Sequence, residues 1–226
     1  GNISTRGNVG PPSDDVLIGG FIVDGPPGST KKVIVRAIGP SLAENGVGDP
    51  LADTTIELHD SLGNVIRNDN WKLNESTNAS QEAEIVATGV APKSDAESAI
   101  IAQLPPGPCT AVVRGKNGDA GVALIEVYNI DLAPNSQLVN ISTRGSVGKG
   151  DNAMIGGLIV QGLQPSRVVM RAIGPTMEAF GVAGTLQDPT LELRNSNGSL
   201  VEFNDDWKRK AATGTSQEAD IVATSI

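Results

Sequence analysis

The chain has very little of what catalytic proteins usually employ. Its 226 residues include one histidine and one cysteine, and aromatic residues make up 3 %. Cys109 cannot form a disulfide within the chain, and a lone cysteine in an apolar stretch is typical of a small buried side chain. His59 lies in an alternating segment and is replaced by Arg194 in the repeat described below, so no Ser-His-Asp or Cys-His arrangement is indicated. We predict that the chain is not an enzyme, and a pair of carboxylates from distant strands is the one catalytic arrangement left open.

Positive charge and long apolar runs are also scarce. There are 17 Lys and Arg against 26 Asp and Glu, the net charge is −9, and the basic residues are scattered. Such a chain repels phosphate, so we predict no nucleic-acid partner. No apolar run is long enough to cross a bilayer, so we predict no membrane span. With neither an initiator Met nor a signal peptide, we expect a processed form or a piece of a longer chain.

What the chain does contain is a long internal repeat. NISTRG at residues 2–7 returns unchanged at 140–145, and the blocks behind it return in the same order. The clearest pairs are LIGGFIVDG with MIGGLIVQG, KKVIVRAIGP with SRVVMRAIGP, TIELHDSLGNVI with TLELRNSNGSLV, NDNW with NDDW, and SQEAEIVAT with SQEADIVAT. Because the repeat has the length of a domain, we predict one domain at 1–131, a linker at 132–138 and a second copy at 139–226.

Composition and patterning predict an all-β protein. Glycine (27) and proline (14) are frequent, and Val, Ile, Leu and Ala occur in short runs, as in short strands joined by tight turns. We predict two tandem jelly-roll-like or Ig-like β-sandwich domains, of which the second lacks its last strands. The glycine pair Gly19-Gly20 within an apolar run indicates a bulge or the close approach of another backbone. Only residues 80–88 have helix-like spacing, and they predict a short helix.

Arginine and tryptophan recur at matching places in the two copies, each with two interpretations. Arg36 and Arg171 lie in strongly apolar segments, where a guanidinium needs a carboxylate or carbonyls around it. Such an arginine either ties loops together or binds a ligand. Trp71 and Trp207 each follow the acidic cluster described next, and a tryptophan there either packs on the core or serves as a platform for a sugar.

One cluster has metal-ligand character. Its candidate ligands are Asp69 and Asn70 in the first copy and Asp205 and Asp206 in the second. Calcium prefers several oxygen ligands from carboxylates, amides and carbonyls, which an acidic cluster at the end of a strand can supply. Aspartate and asparagine also populate turns by binding their own backbone, and this alternative stays open. The sequence therefore offers Ca²⁺ as a candidate cofactor without a fixed motif.

Motifs along almost the whole chain resemble a known kind of module. The order NISTRG, LIGGFIV, VRAIGP, DPTLEL, NDDW, SAIIAQLPPG, TAVVRG and GVALIEVY resembles a secreted module found in tandem in large exported proteins of environmental bacteria such as Verrucomicrobia. The stretch DPTLELRNSNGSLVEFNDDW is also similar to a hairpin of bacterial pre-peptidase C-terminal domains, which are jelly-roll-like sandwiches that in some cases bind calcium. The first resemblance implies an extracellular or cell-surface, non-catalytic, all-β module of adhesive or structural use.

The second copy ends early relative to the first. It has no counterparts of 99–104, 110–114 and 122–128, and a sandwich without those strands exposes its core and an unpaired edge. We therefore expect copies of the chain to associate head-to-tail by β-strand addition, in a layout that resembles fibres built from β-sandwich subunits. The expected assembly residues are Asn2, Ile3, Ser4, Thr5, Arg6, Ile221 and Ile226.

An alternative function stays open. The chain is then a calcium-dependent adhesion or carbohydrate-binding module of a larger secreted repeat protein, whose partners include surface glycans.

Overall fold

The computed structural model describes residues 2–11, 15–131, 135–159 and 167–224. The chain divides into two compact units, Gly1–Gln161 and Gly162–Ile226. The predicted Ile226 lies outside the described residues, as does Gly1.

The first unit is built almost entirely of antiparallel strands. These strands, with one short helix, are β1 Asn2–Val9, β2 Leu17–Asp24, β3 Lys31–Ile38, β4 Thr54–His59, β5 Val65–Asn68, β6 Leu73–Asn74, β7 Ala79–Ser80, α1 Glu82–Ala87, β8 Ser98–Leu104, β9 Gly107–Gly115, β10 Gly121–Asn129, β11 Gln137–Arg144 and β12 Ile155–Leu158. One five-stranded sheet, the β1 sheet, has the order β12-β1-β10-β3-β8. The other, the β2 sheet, has the order β11-β2-β9-β4-β5. The prediction of an all-β sandwich is confirmed.

The two sheets pack face to face through alternating side chains. In β2 every second residue from Leu17 to Val23 is buried, and the intervening ones are partly exposed. Leu17 from the β2 sheet and Val35 from the β1 sheet belong to one continuous core and are fully buried. Each such side chain contributes about 1.5–3 kcal/mol by leaving water. Cys109 is part of this core, which confirms it as a small buried side chain, and burial raises the pKa of its thiol to about 11.

A second layer covers the outer face of the β1 sheet. Trp71, in the turn between β5 and β6, and Ile85, in helix α1, pack there on Ile34 of β3 and Ala99 of β8. The indole Nε1 of Trp71 donates a hydrogen bond to the carbonyl of Ser94 at 3.0 Å. For Trp71 the interpretation as a core residue is therefore confirmed, and so is the short helix predicted at 80–88.

The buried carboxylate of Glu97 joins two loops at the same end of the sandwich. Its Oε1 accepts hydrogen bonds from the backbone N–H groups of Gly39 (3.2 Å) and Ser41 (2.9 Å) and from the Ser41 hydroxyl. Its Oε2 accepts from the N–H groups of Lys93 (3.1 Å) and Ser94 (3.2 Å). Because all these donors point at one charged group, the turn after β3 and the loop before β8 are held together.

The second unit, over its described residues 167–224, contains one hairpin and one short helix. Its elements are a 3₁₀ turn at Pro175–Phe180, β13 Leu191–Arg194, β14 Leu200–Asn204 and α2 Glu218–Val222. Within this range the structure buries no large apolar side chain. Residues 168–173, the counterparts of residues 33–38 in β3, form no strand.

The compact units differ from the units of the sequence repeat. The first extends to residue 161, because β11 and β12, although they begin the second copy, pair with the sheets of the first. The division into 1–131, 132–138 and 139–226 stays a prediction.

Candidate functional site

The strands that open the two repeats meet at one side of the sandwich. β1 lies between β10 and β12, so all the predicted assembly residues from Asn2 to Arg6 are paired within the chain. β11, which contains the second NISTR sequence, pairs with β2. One edge of each sheet is thus formed by a strand of the second copy, and we call the four strands β1, β2, β11 and β12 the repeat interface.

The two ladders of the repeat interface have the same register. Ile3 opposes Leu158 in one ladder, and Ile141 opposes Phe21 in the other. Ile3 corresponds to Ile141 in the repeat, and Phe21 corresponds to Leu158. The same correspondence holds for the pairs Ser4 with Gly157 and Ser142 with Gly20, Thr5 with Gly156 and Thr143 with Gly19, and Arg6 with Ile155 and Arg144 with Ile18. The same residue pairs therefore occur in both ladders, with the first and second copies in opposite roles, as in an isologous contact.

Two threonines that are counterparts in the repeat, Thr5 and Thr143, contact each other. The Oγ1 atoms of Thr5 and Thr143 are 2.7 Å apart and share a hydrogen bond. Thr5 is buried. A hydroxyl can donate and accept, so two equivalent threonines satisfy each other at such a position.

The glycine pair of each copy leaves room for neighbouring groups. One glycine of the pair faces a strand of the repeat interface, and in the first copy the other faces the core. A Cβ at Gly20 would lie 3.3 Å from the carbonyl oxygen of Ser142, and one at Gly157 would lie 2.4 Å from the Ser4 Oγ. A Cβ at Gly19 would instead meet the side chain of Ile125 at 3.3 Å. The close approach of another backbone, one of the two predictions for this pair, is confirmed at Gly20.

The last glycine of each NISTRG sequence packs against a core side chain. A Cβ at Gly7 would lie 2.9 Å from Cδ1 of Leu17, and one at Gly145 would lie 3.2 Å from the same atom. The two copies of NISTRG therefore converge on a single core leucine. Beyond them, the hydroxyl of Ser146 donates to the carboxylate of Asp15, which closes the interface at this end.

The remaining assembly residue is in the second unit. Ile221 lies in α2 and is partly exposed, whereas its counterpart Ile85 in α1 is fully buried.

The acidic cluster of the first copy contacts a lysine. The Nζ of Lys116 lies 2.7 Å from Oδ2 of Asp69 and 3.7 Å from Oδ2 of Asp53. Burial raises the pKa of Asp53, an effect that Lys116 opposes and Asp69 reinforces. A calcium ion at Asp69 would have to displace this ammonium group.

The structure does not bring the other candidate metal ligands into a cluster. Asn70, Asp205 and Asp206 are exposed. Across the described ranges, no three His, Cys, Asp or Glu side chains are grouped as a metal site requires. The role of calcium stays a prediction.

Arg36 is held entirely by neighbouring groups of the protein. Its Nε donates to Oε2 of Glu126 at 2.7 Å, and its Nη1 donates to the carbonyl of Val90. Its guanidinium lies over the ring of Tyr128 at 5.2 Å, and the Tyr128 hydroxyl donates to Oε1 of Glu126 at 2.7 Å. These contacts make Arg36 a structural arginine that joins β3, β10 and the loop after α1. Its counterpart Arg171 is exposed.

An open cleft of about 310 Å³ lies beside β4, β5 and β9 on the β2 sheet. Two of its arginines are paired with Glu57, Arg67 at 2.8 Å and Arg114 at 3.3 Å. The hydrogen bond from Arg67 lowers the pKa of Glu57. A carboxylate kept ionised in this way is a poor general acid, so Glu57 does not fit that role in glycoside hydrolysis.

No protein family, curated protein or solved structure matches the chain. Over the residues that the structure describes, no helix has the length and apolar character needed to cross a bilayer. Fold and interface together define a β-sandwich protein in which strands of one sequence repeat extend the sheets of the other.

Sequence reasoning did not find the partners in this interface. In the sequence Ser142 and Thr143 belong to a repeated motif that does not indicate their partners, and no pattern marks Asp15 as the partner of Ser146. A usable signal was the recurrence of a glycine pair together with a Ser-Thr pair in both copies, because a small residue in one strand requires a close neighbour in another.

Proposed function

We propose that the chain is a non-catalytic structural protein that acts outside the cell or at its surface, and that its copies join head-to-tail into a filament by β-strand addition. The observation that carries the proposal is the repeat interface with its matched registers. The resemblance of the motifs to secreted tandem modules supports the location.

Exchange of repeats between chains would use contacts that already exist. If β11 and β12 of one chain pair with β2 and β1 of the next, every hydrogen bond of the repeat interface is kept. Only the connection from β10 to β11 must take another path. Such domain swapping is a low-cost route to association.

The exchanged contact joins different ends of the chain. Each chain offers β1 and β2 to one neighbour and β11 and β12 to another, so the contact is heterologous and does not have to close. In this arrangement Asn2 to Arg6 add to a strand of the neighbouring chain, as the assembly prediction requires.

Protein concentration decides whether β11 and β12 pair within their own chain or with a neighbouring chain. A short connection holds the second repeat near the first at an effective concentration on the order of millimolar. The filament is therefore expected after refolding at high protein concentration, where neighbouring chains compete with that value.

The test uses cysteines at the pseudo-symmetric threonines in a Cys109→Ser background. Chains with Thr5→Cys and chains with Thr143→Cys are unfolded together, refolded at high concentration and oxidised. Exchange predicts a disulfide-linked dimer of the two variants on a non-reducing gel and filaments by negative-stain microscopy. The Thr5→Cys variant mixed with Ser199→Cys, whose cysteine lies in the exposed β13–β14 turn, is the matched control.

The opposite result is equally defined. If mixed single-cysteine chains give no more cross-linked dimer than this control at any concentration, and the double variant Thr5→Cys/Thr143→Cys oxidises only within monomers, the filament proposal is wrong.

The exposure of Trp207 favours a second candidate function, a calcium-dependent adhesion or carbohydrate-binding module. Trp207 is 49 % exposed and directly follows Asp205 and Asp206. An exposed indole can stack on a sugar ring, and the two carboxylates are suitable calcium ligands. Calorimetric titration with calcium, before and after Asp205→Ala and Asp206→Ala, tests it, with Asp188→Ala as a control. Heats that do not change between these variants remove calcium from this candidate.

A further inference from the structure

The strands that open the two repeats present nearly the same side chains to a partner. β1 and β11 share the sequence NISTR at residues 2–6 and 140–144, and β2 and β12 share the sequence IGG followed by a large apolar residue, Phe21 or Leu158. We call β1 and β2 the first opening strands, and β11 and β12 the second opening strands. What one set of opening strands binds, the other set therefore resembles.

The β2–β11 ladder already shows how β2 receives the sequence of β1. The residues of β11 that oppose Phe21, Gly20, Gly19 and Ile18 in this ladder are Ile141, Ser142, Thr143 and Arg144. The same four residue types stand in the same order at positions 3–6 of β1. β1 of another chain would therefore bring to β2 the side chains that β2 faces now.

The β1–β12 ladder gives the same information for the second opening strands. Ile3 opposes Leu158 and Ser4 opposes Gly157. Because β11 carries the same residues at positions 141 and 142, β11 of one chain would meet in β12 of another chain the side chains that β1 meets there now.

An exchange of partners between two chains therefore conserves the residue pairs at these positions. Two separate chains hold two β1–β12 ladders and two β2–β11 ladders. One contact between first opening strands has two ladders with the residue pairs of β2–β11, and one contact between second opening strands has two with those of β1–β12. Cross-strand pairs stabilise a sheet according to the side chains that meet, so strand pairing does not distinguish the repeats.

The centre and one end of the repeat interface are self-complementary as well. Thr5 and Thr143 share a hydrogen bond at 2.7 Å, and Asn8 forms an antiparallel bridge with its own counterpart, Ser146. The Ser146 hydroxyl donates to the carboxylate of Asp15. In a contact between two first repeats, the amide of Asn8 takes the place of this hydroxyl and offers two N–H donors to Asp15.

The tightest approaches in the repeat interface involve small residues that both copies contain. A Cβ at Gly20 would lie 3.3 Å from the carbonyl oxygen of Ser142, and one at Gly157 would lie 2.4 Å from the Ser4 Oγ. Each copy has glycine at the first of these positions and serine at the second. Any combination of the two copies therefore provides the same space at the closest contacts.

We propose that the opening strands of each repeat also bind the same strands of a second copy of this chain, first repeat to first repeat and second repeat to second repeat. The contact is isologous, with Thr5 of one chain against Thr5 of the other at its centre, so it closes on two chains. The inference rests on the strand exchange of the proposed function and adds a second choice of partner. Closed dimers then compete with the filament.

Chains with a single cysteine, in the Cys109→Ser background, test the partner choice. Thr5→Cys chains alone, and Thr143→Cys chains alone, are unfolded, refolded at high concentration and oxidised. Each variant is expected to give a disulfide-linked homodimer on a non-reducing gel, in a yield within about 10-fold of the dimer that the two variants form when mixed. Ser199→Cys alone, with its cysteine in the exposed β13–β14 turn, measures the background from random collision.

A bulky residue at one glycine separates this contact from non-specific association. Gly20→Val obstructs both ladders between first opening strands and neither ladder between second opening strands, so it is expected to lower the yield of the Thr5→Cys homodimer and to spare the Thr143→Cys homodimer. Gly157→Val is expected to do the reverse. Each glycine variant is thus the folding control of the other.

The possible results distinguish this inference from the proposed function. If Thr5→Cys and Thr143→Cys chains alone give no more homodimer than Ser199→Cys, the inference is wrong, even when the mixed variants cross-link and form filaments. Loss of both homodimers to the same extent with either glycine variant also overturns it. Homodimers that respond selectively to Gly20→Val and Gly157→Val, without a dimer between the mixed variants, support the inference and refute the head-to-tail filament.

Discussion

The two equivalent arginines provide a matched pair for testing what a buried ion pair contributes to stability. Arg36→Met removes the guanidinium from Glu126, whose side chain is 11 % exposed, while Arg36 itself is 16 % exposed. Arg171→Met makes the same chemical change at an exposed position. The difference between the two variants therefore reports what the buried contacts of Arg36 contribute to stability.

The structure gives the expected magnitude. Removing one partner of a buried pair costs about 3–5 kcal/mol, and the residual exposure of this pair reduces that to about 2–4 kcal/mol. For a unit of this size the loss corresponds to roughly 6–12 °C in the melting temperature. An exposed arginine without a partner contributes within about 0.5 kcal/mol, so Arg171→Met is expected to unfold almost as the parent does.

Guanidinium unfolding followed by tryptophan emission measures both variants. The signal comes chiefly from Trp71, because Trp207 is already 49 % exposed before unfolding. A further change, Glu126→Gln in the Arg36→Met chain, neutralises the lone carboxylate and is expected to recover about 1 kcal/mol or more. Equal losses for Arg36→Met and Arg171→Met would refute the reasoning, as would an Arg36→Met chain that loses less than about 0.5 kcal/mol.

Three other predictions concern the first unit. Gly157→Ala places a methyl group 2.4 Å from the Ser4 Oγ and is expected to speed amide exchange in β12, whereas Gly156→Ala, with nothing within 4 Å, is expected to leave it unchanged or slower. Glu97→Gln turns an amide donor toward backbone N–H groups and is expected to cost about 2–4 kcal/mol in denaturant unfolding, with the exposed Glu82→Gln as control. Because burial raises the pKa of Cys109 to about 11, its thiol is expected to resist a disulfide reagent at pH 8 until the chain unfolds. The same shift stabilises the fold fully below the unfolded-state pKa, and that stability is lost as the pH rises through about 11.

Local features of the structure could be predicted because they depend on local residues. Alternation along β4 requires only that Ile56 and Leu58 face the core, and the turn at Gly198 requires only a residue that tolerates its φ of +82°. The short helix at 82–87 follows from the spacing of its apolar residues in the same way.

The pairing of the repeated strands could not be predicted in this way. Residues 2–6 and 140–144 have the same sequence, yet β1 pairs with β10 and β12 while β11 pairs with β2. Identical local patterns have identical local preferences, so the choice of neighbour is made by tertiary contacts far along the chain. The partner of Asp69 was missed for the same reason, because Lys116 is distant in sequence.

The order of strands in the repeat interface has a mechanical consequence. β12 follows β11 in the chain, so tension from the C-terminal side reaches the short β1–β12 ladder first and the longer β2–β11 ladder second. Both can open while β10, β3 and β8 stay paired. Residues 137–158 would then extend by on the order of 70 Å. The repeat interface can thus lengthen under force before the remaining strands separate. Single-molecule stretching would show this as two successive extension steps before the sandwich itself unfolds.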